Sequence, residues 1–183
     1  NYHRMALLIV FMFYKDIVYN FSQYWYSAMT PWSGQKFFIE WANITINVLY
    51  NGLPILVVAV LDRNVPASVA LQLPFLHKDG VLKRHLNGPV FWIWILEALV
   101  TSFAMYFVPF GALFFGESDG SSLYVFQLGF VVFTCLVVVQ SCRLALEVNN
   151  HDPAFQASIL LSIVAFVGTA FLYDWWDSDG IYG

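Results

Sequence analysis

The feature that most restricts this chain is a series of five apolar runs, at about residues 6–29, 39–61, 90–115, 123–146 and 154–173, separated by shorter polar stretches. A hydrocarbon layer about 30 Å thick is crossed by about 20 residues of α-helix. Inside it a backbone must satisfy its own hydrogen bonds, which leaves helices or closed barrels, and runs of this length without strict alternation read as helices. The expected fold is therefore all-α, a polytopic transmembrane bundle of five spans. A soluble domain is excluded, because 60% of the 183 residues are hydrophobic and only 11% are charged, with a mean hydropathy of +0.66. The net charge of −4 offers no nucleic-acid footprint.

One residue in the first run does not belong in lipid. Lys15 lies near the middle of ALLIVFMFYKDIVYNFSQYWYSAM, about 15 Å from the helix start at 1.5 Å per residue, and so near the bilayer midplane. A charge there costs about 2.5–3.5 kcal/mol on insertion scales, and such a residue normally faces the protein interior and marks a pathway. The neighbouring Asp16 offers a static ion pair instead, but residues adjacent in sequence point about 100° apart on a helix. The return span carries Asn43, Asn47 and Asn51 at four-residue steps, with Glu40 and Pro54 continuing the face. If the link around Trp32 to Lys36 folds the two spans antiparallel, Lys15 lies level with Asn47 to Asn51. Asparagines also join membrane helices by hydrogen bonds; three in register, beside Gly52 and Pro54, fit better a helix whose backbone is partly freed to bind a polar group.

The remaining signals are less specific. Asp62 to Gly88 is a basic loop with Arg63, Lys78, Lys83 and Arg84, whose histidines His77 and His85 lack metal-ligand companions. Asn87 before Pro89, and Asp152 before Pro153, are helix-start signals. Glu97 is expected to pair with Gln140 or Arg143 of the next span. Pro109 with Gly111 is read as a bend at the outer surface, and Asn43-Ile44-Thr45 as an accidental glycosylation match inside a span. Cys135 and Cys142, seven residues apart on one helix, are too far apart for a disulfide. Tyr24, Trp25, Tyr26 and Trp32, and Trp175 with Trp176, are expected at the membrane surfaces. Arg4, Arg63, Lys78, Lys83, Arg84 and Arg143 fall on one side, against Lys36 on the other, which makes the N-terminal side cytoplasmic. The start, Asn-Tyr-His-Arg, has no initiator methionine or signal-peptide pattern, and the chain reads as a fragment.

The order of motifs resembles the type IV P-type ATPases, the ATP-driven phospholipid flippases. Tyr2 to Met5 (YHRM), Tyr14-Lys15 and Trp32-Ser33-Gly34-Gln35 resemble that family's fifth-helix entry, membrane lysine and SGQ turn. Ile46-Asn47-Val48 and Leu53-Pro54 resemble its sixth helix; Asp62 with Val65, then Leu73-Pro74 to Gly80 (LPFLHKDG), resemble its cytoplasmic loop. The resemblance implies that residues 1–183 are helices five to nine of a ten-helix membrane domain. It implies a substrate path through Lys15, Asn47, Asn51, Asn43 and Tyr19, with Asp16, Glu97 and Pro54 in packing or supporting places. It also implies ATP and Mg2+ for the parent protein, though no cofactor for this region, which lacks the phosphorylated aspartate and the nucleotide domain and is no enzyme by itself. Implied partners are a phospholipid moved from the exoplasmic to the cytoplasmic leaflet, membrane lipids, the ATPase domains of the same chain and an accessory beta-subunit. The site would be a plasma, Golgi or endosomal membrane. Asp16 stands where the family often has asparagine, and Tyr50-Asn51 replaces a more usual aromatic-threonine pair. The alternative function is a five-span scaffold or assembly partner. A cation-coupled transporter needs acidic ligands near the midplane, and only Asp16 is that deep.

Overall fold

In the computed structural model the described residues are 2–31, 34–38, 44–62, 86–116, 125–148 and 152–180, without the side chains of 115, 116, 126 and 173–180. All regular structure among them is helical. Helix α1 spans Tyr2–Met29 with no glycine or proline to interrupt it. It ends where the Thr30 amide and hydroxyl both donate to the Tyr26 carbonyl, at 3.0 and 2.9 Å, just before Pro31, which cannot donate. Its buried residues, Leu7, Val10, Phe11, Tyr14, Lys15, Val18, Ser22 and Tyr26 among them, recur at three- and four-residue steps. That is one helix face, and Lys15 is on it.

Helix α2 covers Ile46–Leu61 and is antiparallel to α1, since Arg4 donates to the carbonyls of Val60 and Asp62 at 3.1 and 3.2 Å while Lys15 meets Asn47. Arg4 thereby satisfies carbonyls that a helix end leaves open. Helix α3, Gly88–Gly116, runs through Pro109 without interruption. The Asn87 side chain accepts from the Val90 amide at 2.9 Å, the N-cap expected of it. It lies parallel to α1, joined by Tyr14 to Thr101 and Trp25 to Ser102, each at 3.2 Å. Helices α4, Val125–Glu147, and α5, Pro153–Gly180, complete the bundle.

Among the described residues α1, α3, α4 and α5 are each long and apolar enough to cross a membrane. In α3 and α5 Trp92, Ile93, Leu96, Val100, Leu160, Leu161 and Phe171 are all more than half exposed. An apolar surface of that extent is tolerated where the surrounding solvent is lipid. The chain is thus an integral membrane protein.

The link between α1 and α2 folds back into the bundle. Phe37 and Phe38 are buried; Phe37 stacks on Tyr26 with ring centroids 4.5 Å apart, and Phe38 meets Phe133 of α4 edge-on at 5.6 Å. Gly129 of α4 makes room, because a side chain there would run into the Phe37 carbonyl. This corrects the expectation of an interfacial aromatic belt: Tyr26 is 3% exposed and Trp25 is bonded to α3, whereas Tyr24 is 47% exposed. Trp32 and the side chains of Trp175 and Trp176 lie outside the described residues. We expect Gly129→Ala to destabilise the fold by about 1–3 kcal/mol, the cost of overpacking, read as a lower thermal midpoint of the full-length protein in detergent. An unchanged midpoint would show that the link does not dock on α4.

Candidate functional site: a buried ammonium beside a widened helix

The site begins with a missing hydrogen bond. Pro54 has no N–H, so in a regular helix the carbonyl of Tyr50 would lack its partner. The chain answers by widening: Ile46–Tyr50 is a π-turn, closed by the Asn51 amide on the Ile46 carbonyl at 3.0 Å. Single π-turns of this kind concentrate at functional sites. A β-carbon on Gly52 would lie 2.8 Å from the Asn47 carbonyl, so glycine is needed for the wider turn to close. The stranded Tyr50 carbonyl accepts a hydrogen bond from the buried Ser162 hydroxyl of α5. Further along α5, Thr169 and the Tyr50 hydroxyl share a bond of 2.5 Å.

The widening separates residues that four-residue spacing would hold on one face. Asn47 turns to α1, where its Oδ1 accepts from the Lys15 ammonium at 2.5 Å. Asn51 turns to α4 and donates to Gln140 Oε1 at 2.6 Å. Gln140 in turn donates to the Lys15 carbonyl at 3.2 Å. These three bonds join α1, α2 and α4, with Lys15 7%, Asn51 5% and Gln140 0% exposed. The antiparallel count that sets Lys15 level with Asn47 to Asn51 matches this geometry; the regular polar ladder does not, and Asn43 lies outside the described residues.

Asp16 also contacts Lys15, at 3.5 Å, but its carboxylate is 59% exposed. The ammonium thus has one short buried bond and one longer contact at the edge of the site. Tyr19 is one turn further along α1, half-buried, its ring stacked on Phe38 at 5.1 Å and its hydroxyl accepting from Gln23 at 3.2 Å. Glu97 pairs with Arg143 at 2.9 Å, and Arg143 also holds Glu147 at 2.6 Å and lies 4.4 Å from the centre of the Trp94 ring. Of the two partners considered for Glu97, the charged one takes it. The amide Gln140 belongs to the lysine instead. An amide in an otherwise apolar span was the available signal for Gln140; Ser162 and Thr169, short hydroxyls common in membrane helices, gave none until the π-turn was visible. No group of three or more metal-ligating side chains occurs among the described residues, and both cysteines are free thiols.

A helical membrane bundle built around a buried lysine and a proline-widened helix defines a class of polytopic membrane protein. Its family follows from comparison. A family model described as phospholipid-translocating P-type ATPase C-terminal matches residues 1–182, and the chain belongs to that family. It is 27% identical over 185 residues to the probable phospholipid-transporting ATPase IM of Homo sapiens, covering 100% of this chain and 15% of that protein. It is 30% identical over 151 residues to the phospholipid-transporting ATPase ID of Mus musculus, covering 80% of this chain and 12% of that protein. With the phospholipid-transporting ATPase 1 of Arabidopsis thaliana it shares 28% over 165 residues, 90% of this chain and 14% of that protein. The chain thus spans a small part of the length of the relatives it matches.

If Ser162 is what satisfies the Tyr50 carbonyl, Ser162→Ala leaves a buried acceptor unpaired and costs about 1–3 kcal/mol. In a Pro54→Ala background, where residue 54 can donate to Tyr50, we expect the same substitution to cost distinctly less. Equal losses of thermal stability in the two backgrounds would contradict the assignment.

Proposed function

We propose that these helices are the membrane portion of an ATP-driven phospholipid flippase, helices five to nine of its ten, with Lys15 and Asn47 on the path of the lipid head group. The observation that carries this is the Lys15 ammonium, 7% exposed at mid-helix, held by an amide oxygen at 2.5 Å rather than neutralised by a buried acid. Lysine carries three N–H donors, and its bonds to a phosphate or carboxylate are charge-assisted and strong. A head group crossing the bilayer meets the same cost of burying charge as the lysine does, and pairing lowers the cost for both. Membership of the family, and relatives named as phospholipid-transporting ATPases, support the same reading.

In this reading the N-terminus of α1 is cytoplasmic and the lipid moves from the exoplasmic to the cytoplasmic leaflet. ATP and Mg2+ act at domains of the parent protein outside these residues. Phosphorylation there drives alternating access, and α1, whose Lys15 face packs on α2 and α4, passes the motion to the site. An accessory subunit would sit at the exoplasmic end. Asp16 sets its negative charge 3.5 Å from Lys15, which disfavours a head group of high negative charge. Tyr19 extends the path one turn further along α1, while Asn51 and Pro54 hold its shape. The scaffold reading draws on the buried Asn51–Gln140 bond, a contact suited to joining helices, but it leaves Lys15 without a reason to be charged.

In the full-length protein, Lys15→Ala should lower phospholipid-stimulated ATP turnover at least tenfold with protein abundance within twofold of wild type. Stimulation retained at the wild-type level would rule out a role for Lys15 on the lipid path.

A further inference from the structure

One stripe of α4 is apolar except for an amide. Leu136, Val137 and Leu144 stand one turn before and after Gln140 and are each at most 2% exposed, and Gln140 between them is fully buried. An amide in such a place must find partners for its donors and its acceptor. Gln140 finds them on two different helices: Oε1 accepts from Asn51 of α2 at 2.6 Å, and Nε2 donates to the Lys15 carbonyl of α1 at 3.2 Å. The second bond is not one that α1 requires. Lys15 lies inside an unbroken helix, where each carbonyl already accepts from the amide four residues on, and it takes the Gln140 donor on its second lone pair.

That bond holds Lys15 at its base. A lysine carries its ammonium on a flexible four-carbon stem, so where the ammonium sits depends on what fixes each end. Asn47 fixes the tip, at 2.5 Å, and Gln140 fixes the main chain. Both tethers lead to α2: Asn47 lies within the π-turn Ile46–Tyr50, and Asn51 directly follows it. An anion bonded to the ammonium competes with the tip tether, because both draw on the same donors. The base tether stands outside that competition, since it uses no atom of the Lys15 side chain and Gln140 is 0% exposed.

We propose that Gln140 is a positioning residue for head-group transfer. By tying the Lys15 main chain to α2 through Asn51, it keeps the ammonium and Asn47 in register while a phosphate or carboxylate of the head group occupies the ammonium, and lets the Lys15–Asn47 bond close again when that group leaves. The proposal rests on the reading of Lys15 and Asn47 given above. A misplacement of about 1 Å in a working group can cost about a hundredfold in rate, so the loss of the brace falls on the maximal rate.

The test uses the full-length protein in detergent micelles, titrated in turn with phosphatidylserine, phosphatidylethanolamine and phosphatidylcholine, with ATP turnover and the thermal midpoint followed for each variant. Replacing both partners of a buried bond by apolar groups of similar shape leaves neither unpaired, so Asn51→Leu combined with Gln140→Met should keep a midpoint near that of wild type. For the lipid that stimulates most, the same pair should lower the maximal rate about tenfold, because the brace is gone. In a Lys15→Ala background, where no ammonium is left to position, it should lower the remaining turnover less than about twofold. A wild-type maximal rate in the pair, with the Lys15→Ala loss intact, would overturn the role of Gln140 and leave the head-group reading. An equal fold-loss in both backgrounds would show Gln140 acting on the bundle at large, and would overturn that role as well. Wild-type stimulation in Lys15→Ala would overturn both. Should the pair not accumulate, Gln140→Met alone is compared in the two backgrounds, with the same expectation and the same overturning result.

Discussion

A carbonyl inside hydrocarbon must find a donor, and the form of this site follows from how one carbonyl does so. Pro54 removes the donor that Tyr50 would have had; the helix widens over Ile46–Tyr50, and Ser162 of the last helix supplies the missing hydroxyl. Because water is absent, the alternative to that bond is an unpaired acceptor at a cost of several kcal/mol. The turn is therefore fixed by α5 rather than left to fluctuate. Its consequence is directional: Asn47 faces α1 and Asn51 faces α4, and without the extra residue in the turn they would share a face.

Two cations among the described residues, the buried Lys15 and the partly buried Arg143, are treated differently. Arg143 is closed off, with Glu97 and Glu147 on its nitrogens and the Trp94 ring against its plane; arginine's planar fork suits such an arrangement, and it ties α3 to α4. Among the described residues Lys15 meets no buried acid. Its short bond goes to a neutral amide, and its one carboxylate contact is mostly exposed. A neutral partner stabilises the ammonium without cancelling its charge, and under the proposed function that leaves Lys15 able to meet an anion.

The sequence made the outline of the fold legible because lipid leaves few choices. Long apolar runs imply helices, and a proline or asparagine at a boundary marks the start, as Asn87 does for α3. The level at which Lys15 meets α2 was also legible, since a short link and a fixed rise per residue leave little freedom. The identity of its partner within Asn47 to Asn51 was not, because four-residue spacing assumes a regular helix and the π-turn breaks that assumption by one residue. In the sequence Gln140 was legible only as a candidate partner of Glu97, a place that charge attraction gave to Arg143. The burial of Tyr26 was hidden by composition: an aromatic cluster at a helix end reads as an interface belt unless the link is known to fold back over Gly129.

The central claim is that Lys15 and Asn47 act on the head group as one unit, and a double-mutant cycle measures that directly. Lys15→Met, Asn47→Leu and the pair would be compared in the full-length protein by lipid-stimulated ATP turnover over its half-saturating lipid concentration. Acting as a unit, the two should be strongly non-additive, the pair losing little more than Lys15→Met alone and giving a coupling of about 1 kcal/mol or more. Losses that simply add would show that the 2.5 Å bond holds helices together and takes no part in lipid handling.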